Sequence, residues 1–150
     1  MKNLAALIIF LALSFAAAYS GVLFPPGDWY AGLLKPAWTP PDWLFPPVWT
    51  LLYVGMAVAA WLVWKRAGFG AAIVAYLVQL GLNALWSWLF FGLHQPLLGL
   101  LDIVLLWLAI VATLVLFWPI RTLAGLLLIP YLLWVSFAGA LNLSLWQLNP

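Results

Sequence analysis

Three tryptophans and two amides are the residues of this chain whose types and spacing could do chemistry. Trp49 has Tyr53 one helical turn beyond it, Trp86 lies three residues after Asn83, and Trp134 lies four after Pro130. An indole offers a flat apolar face and a single N–H. Several of them gathered in one place would stack on a planar, apolar guest. Gln79 and Asn83 are four apart, so they share one face of a helix, and Trp86 and Ser87 continue that face. Further on, Trp134, Ala138, Leu141 and Asn142 share a second face, with Ser136 to one side. Amides surrounded by lipid need partners. They either bond between helices, or Asn83 orients a ligand. For each tryptophan taken singly, plain helix packing is the competing reading.

Conventional catalysis has no residues to work with. The chain has no cysteine and one histidine, His94, which excludes disulfides, thiolate metal sites and a histidine cluster. No nucleophile–base pair, paired carboxylates or phosphate loop is visible. Hydrolysis, phosphoryl transfer and metal redox chemistry therefore lack support, and neither a metal site nor a resident cofactor is expected. Any chemistry must come with the ligand, as a light-absorbing or redox-active molecule. Asp102 lies six residues beyond Pro96, inside an apolar run. An ionisable group at that depth is a functional candidate. The alternative, which we favour, is structural: it reaches the loop side and pairs with Lys35 or a tryptophan N–H.

The elements that must position these residues are membrane spans. Of the 150 residues, 69% are hydrophobic and 5% charged, and mean hydropathy is +1.18. A soluble domain carries about a quarter charged residues. The expected fold is an all-α membrane protein, one domain of five transmembrane helices at about 4–24, 46–64, 71–91, 97–118 and 122–146. Each has roughly the 20 apolar residues that cross a bilayer. The first also imitates a signal peptide, with Lys2, an apolar run and Ala16-Ala17-Ala18, but the run continues through Phe24. Pro46-Pro47 suit the start of the second helix, and Pro130 predicts a kink in the fifth. Trp64, Trp118 and Trp146 stand at span ends, as an interfacial belt would.

Trp29–Tyr53, WYAGLLKPAWTPPDWLFPPVWTLLY, joins the first two spans. Its prolines forbid a continuous helix from Lys35 to Pro47, and its aromatics suit a stiff lid over a pocket. Lys2, Lys65, Arg66 and Arg121 fall on one side of the bundle, and Lys35 falls alone on the other with Asp28 and Asp42. By the positive-inside rule the N-terminus is cytoplasmic and the loop lies outside. A net charge of +2, scattered, gives no footprint for nucleic acid. Ala71 with Ala75, and Gly55 with Ala59, have small-xxx-small spacing, which suggests a homodimer through the third helix.

The pattern W-Y-x-x-L-x-K-P-x-W-x-P-P at Trp29–Pro41, with F-P-x-V-W-T-x-L-Y at Phe45–Tyr53, resembles the tryptophan-rich sensory protein, or translocator protein, family. Leu82-Asn83-Ala84 with Trp86, Phe90-Phe91-Gly92, and Pro130-Tyr131-Leu132 with Trp134 and Leu141-Asn142 extend the resemblance over nearly the whole chain. It implies a retained first helix and a five-helix membrane protein, often dimeric, that binds porphyrins and haem under the first loop. It implies light-dependent protoporphyrin IX breakdown tied to Trp49 and Trp134, and a pocket that includes Tyr30, Trp38, Trp49, Tyr53, Asn83, Trp86, Phe90, Trp134 and Ala138. Lys35 could pair with a porphyrin propionate, or with Asp28 or Asp42. Asp102 matches an acidic position of the family's fourth helix. Synthetic benzodiazepine-type compounds are ligands of some members. Sterol recognition is not implied, because LNLSLWQLNP at the C-terminus lacks the required Tyr and basic residue. The resemblance points to a bacterial cell membrane, to a tetrapyrrole-degrading role, and alternatively to a non-enzymatic transporter or sensor using the same pocket.

Overall fold

A computed structural model describes residues 1–150. Six of the seven α-helices build five spans. The first span, Lys2–Leu23, is α1 (Lys2–Ala18) continued by α2 (Ser20–Leu23). A short α3 (Gly27–Ala31) and a 3-10 turn (Asp42–Leu44) lie in the connecting loop. The remaining spans are α4 (Phe45–Ala67), α5 (Ala71–Ser87), α6 (Pro96–Ile120) and α7 (Thr122–Leu148). All five spans are long and apolar enough to cross a bilayer.

Proline and glycine set the element ends. Pro46 and Pro47 occupy the first turn of α4, where a missing N–H leaves no helical bond unmade. Gly68, with φ of +69°, ends that helix in a conformation that a Cβ disfavours. No continuous helix crosses Lys35–Pro47, as the prolines require. Pro119 sits in the last turn of α6, and α7 runs helically through Pro130. Some ends lie beyond the expected ones: α4 passes Trp64 to reach Ala67, and α6 passes Trp118 to reach Ile120.

The third span ends unlike a regular helix. Trp88–Gly92 is a π-helical turn, and Leu93 N–H donates to Trp88 O at 2.8 Å. A five-residue bond spacing advances the chain by one extra residue, which rotates the downstream side chains by roughly 100° relative to an α-helix. Phe90 is thereby 1% exposed, deep among α6, α7 and the loop.

In lipid the apolar effect does not drive helices together, and close packing has to. Small residues make it close. Met56, Ala57, Ala59, Ala60 and Val63 of α4 are completely buried. A Cβ on Gly55 would come within 3.9 Å of Leu127 O in α7. The Gly55–Ala59 pair thus serves packing inside the bundle, whereas Ala71 is exposed and Ala75 half-buried. Large apolar side chains such as Leu101, Leu105, Leu108 and Leu133 face outward, as lipid contact demands.

Candidate functional site

A cavity of about 520 Å³ opens between the first span, α4, α5, α6 and α7, beneath the loop. That size is ordinary for a small-molecule site. Its walls carry two groups of aromatic rings with no ring contact between the groups. In one, Trp49 stacks on Tyr53 at 5.6 Å and meets Trp134 edge-to-face at 6.4 Å, while Phe45 meets Trp134 at 5.7 Å. In the other, Trp86 stacks on Phe90 at 4.9 Å, and Phe91 contacts Trp86 at 5.3 Å and Tyr30 at 5.6 Å. Such a lining suits a flat, apolar guest.

Each ring is held by the local structure. The proline-started α4 presents Trp49 in its second turn and Tyr53 one turn deeper. The Tyr53 hydroxyl donates to Asn83 Oδ1. Asn83 Nδ2 donates to Tyr131 OH at 2.8 Å, and Tyr131 OH donates to Gln79 Oε1 at 2.6 Å. Gln79 Nε2 ends the chain on Met56 Sδ at 3.7 Å. The amides of α5 thus form interhelical bonds, with Asn83 also at the cavity wall. Trp86 Nε1 donates to Asn142 Oδ1 at 2.9 Å, and Asn142 Nδ2 donates to Pro96 O at 2.8 Å. That bridge ties the indole to α7 and to the start of α6. Trp134 differs: its Nε1 is buried without a partner.

The loop closes over this end. Tyr30 is 8% exposed and clusters with Phe90, Leu141 and Leu145. Burial first, and the Asp42 charge second, raise its phenol above the usual value near 10, so it stays neutral at physiological pH. Trp29 stacks on His94 at 4.5 Å. Leu34 N–H donates to Asn149 Oδ1, and Asn149 Nδ2 donates to Leu34 O, both at 2.9 Å.

Of the nine residues expected in the pocket, eight line this cavity: Tyr30, Trp49, Tyr53, Asn83, Trp86, Phe90, Trp134 and Ala138. Trp38 does not line it. It is 48% exposed and packs edge-on against Phe137. Two expected pairings are not made. Asp102 reaches neither Lys35 nor an indole; it is 4% exposed with both carboxyl oxygens unpartnered. Position on the inward face of α6, beside Ile103 and Leu106, keeps it from the loop. Lys35 turns to the end of α3, donating to Tyr30 O at 2.7 Å and Leu33 O at 3.3 Å and lying over the Tyr30 ring. Carbonyls left free at a helix end attract a cation there.

Sequence reasoning missed Phe45, Phe91 and Asp42, and the first-span residues Phe15, Ala18 and Val22, all of which line the cavity. Phe45 had a signal, since it directly precedes the proline pair that starts α4. The first-span residues had none, because in a uniformly apolar helix the inward and lipid-facing sides read alike.

Fold and site together define an integral, multi-pass membrane protein of five helices with an aromatic cavity under its first loop. Residues 5–147 match the TspO/MBR family, and the chain belongs to it. Protein CrtK of Rhodobacter capsulatus is 47% identical, over 95% of this chain and 91% of its own. Tryptophan-rich protein TspO of Chlorobaculum tepidum is 46% identical over 99% of each chain. Translocator protein of Homo sapiens is 43% identical over 81% of this chain and 75% of its own.

Proposed function

We propose that this protein binds planar tetrapyrroles such as protoporphyrin IX or haem in the aromatic cavity and promotes their light-dependent degradation. The observation that carries this reading is the meeting of Trp49 and Trp134, from separate helices, at 6.4 Å on the wall of one cavity. The macrocycle stacks on indole faces. Under light, Trp49 or Trp134 gives an electron to the excited ring or intercepts the oxygen species that ring generates from dioxygen. No acid–base pair is needed for either step.

Illumination of purified protein with protoporphyrin IX tests this. The Soret band should decay faster than with porphyrin alone, and Trp49→Phe/Trp134→Phe should lose most of the acceleration while still quenching on titration. Equal decay in the double variant removes both indoles from the mechanism.

A transporter or sensor of tetrapyrroles would use the same cavity, since its walls carry no general acid or base pair. Porphyrin movement across reconstituted vesicles in the dark, unaffected by the tryptophan changes, would establish that alternative. Benzodiazepine-type compounds are small and apolar enough for the same space. We place the protein in a bacterial cell membrane with a cytoplasmic N-terminus, on the grouping of Lys2, Lys65, Arg66 and Arg121. A cysteine introduced at Phe69 should then react only with permeant maleimides in intact cells. Dimerisation is proposed through the outward-facing Ala71–Ala75 edge of α5.

A further inference from the structure

The cavity has an unusual charge balance for a site that takes a dicarboxylic macrocycle. Among its lining residues one is charged, and it is an acid, Asp42. That residue opens the 3-10 turn at the head of α4 and is exposed, so it stands at the mouth. The one basic residue of the loop, Lys35, does not itself line the cavity; its ammonium donates to the carbonyls of Tyr30 and Leu33 and lies over the Tyr30 ring, 4.6 Å from its centroid, so its charge is held in the loop. The walls add to the bias. Aromatic faces are electron-rich and attract cations. An anion taken below the mouth would find the amides of Asn83 and Asn142, but no positively charged lining residue. Burying a carboxylate without a counter-charge is costly.

We propose that the cavity selects its guest by charge, accepting neutral or cationic planar molecules more readily than anionic ones, with Asp42 as the discriminating residue. This rests on the reading of the cavity as a tetrapyrrole site. A porphyrin diacid then binds with its carboxylates projecting past the mouth into water, where the Asp42 charge still opposes them. Burial first and the Asp42 charge second raise the Tyr30 phenol above its usual value, so that charge bears on a residue of the cavity lining. Exposure limits the size of the effect. At physiological ionic strength charges interact over about 8 Å, so a discrimination of roughly three- to tenfold is expected, shrinking as salt is added.

The test is equilibrium quenching of tryptophan fluorescence in a non-ionic detergent, with three guests on one ring: protoporphyrin IX diacid, its dimethyl ester, and an analogue carrying two amines. The wild-type order should be amine, then ester, then diacid. Asp42→Asn should compress the spread by raising diacid affinity relative to the other two, and Asp42→Glu should restore it. The compared quantity is the affinity ratio, so a general loss of protein quality does not imitate it, and the melting curve confirms folding. Equal ratios in wild type and Asp42→Asn, or a wild-type preference for the diacid, would overturn the proposal. If no porphyrin of any charge binds, the tetrapyrrole reading itself falls, and the two failures are thereby told apart.

Discussion

Tyr53, Asn83, Tyr131 and Gln79 pass a hydrogen bond in one direction across three helices, and each hydroxyl and amide in that chain finds a partner. Where no water competes, such a network fixes side-chain positions more firmly than its members would alone. Asn83 is the middle of it, as acceptor from α4 and donor to α7. Asn83→Leu should therefore lower stability by about 1–3 kcal/mol, the cost of stranding the buried Tyr53 hydroxyl, and should loosen Tyr53 at the cavity wall while Tyr131 keeps its bond to Gln79. Asp102 is the opposite case, a buried carboxyl with neither oxygen bonded. Asp102→Ala removes the unsatisfied carboxyl without overpacking the site, and stability should rise by about 1–3 kcal/mol. Thermal unfolding in one detergent, followed for both variants, gives the two signs side by side. A loss of stability in Asp102→Ala would mean that the carboxyl has a bonding partner unaccounted for. The spacing of Gln79, Asn83 and Trp86 on one face was legible in the sequence. Their bonding partners on α4 and α7 were not, because Tyr53 and Tyr131 become neighbours only once the helices pack.

At the level of elements, five apolar runs punctuated by Pro46-Pro47, Gly68 and Pro96 were enough to read five spans. Length and composition dictate a membrane helix, since every backbone group must be satisfied within it. The π turn at Trp88–Gly92 was not legible. It depends on how Phe90 and Phe91 dock against the loop and α6, which is a tertiary demand. The same holds for the two-part first span, whose cavity-facing residues Phe15 and Ala18 look no different from their lipid-facing neighbours. Gly99 shows how tight that docking is. A Cβ there would lie 3.0 Å from Phe90 Cδ2 and 3.1 Å from Asn142 Oδ1. Both neighbours are themselves buried. Gly99→Ala should cost about 1–3 kcal/mol of stability through overpacking. It should also disturb the Trp86–Asn142 bond, which a shift in the indole emission maximum would report. An unchanged spectrum with unchanged stability would show that the π turn can yield without cost.

For the whole molecule, the loop acts as part of the cavity wall, and the far end of the chain holds it in place. Leu34 and Asn149 are joined by two hydrogen bonds across a sequence separation of 115 residues. The loop supplies Tyr30 and Asp42 to the cavity, and Trp29 and Tyr30 pack on Phe90 and Phe91 below. The aromatic and proline content of Trp29–Tyr53 made a stiff cap legible. Its fastening to Asn149 was not, because a polar C-terminal residue after a span has no pattern that names its partner. If a guest leaves by the mouth, the loop must lift, and those two bonds must break. Each is worth about 0.5–1.5 kcal/mol when partly solvated. Asn149→Ala should therefore raise the dissociation rate of a bound porphyrin by roughly fivefold to 160-fold, with the association rate little changed, since differences within one site fall mainly on dissociation. Stopped-flow displacement of protoporphyrin IX ester measures it directly. A dissociation rate equal to that of the parent would place the exit elsewhere, between the first span and its neighbours, where Val22 lies both on the cavity wall and on the outer surface of the bundle.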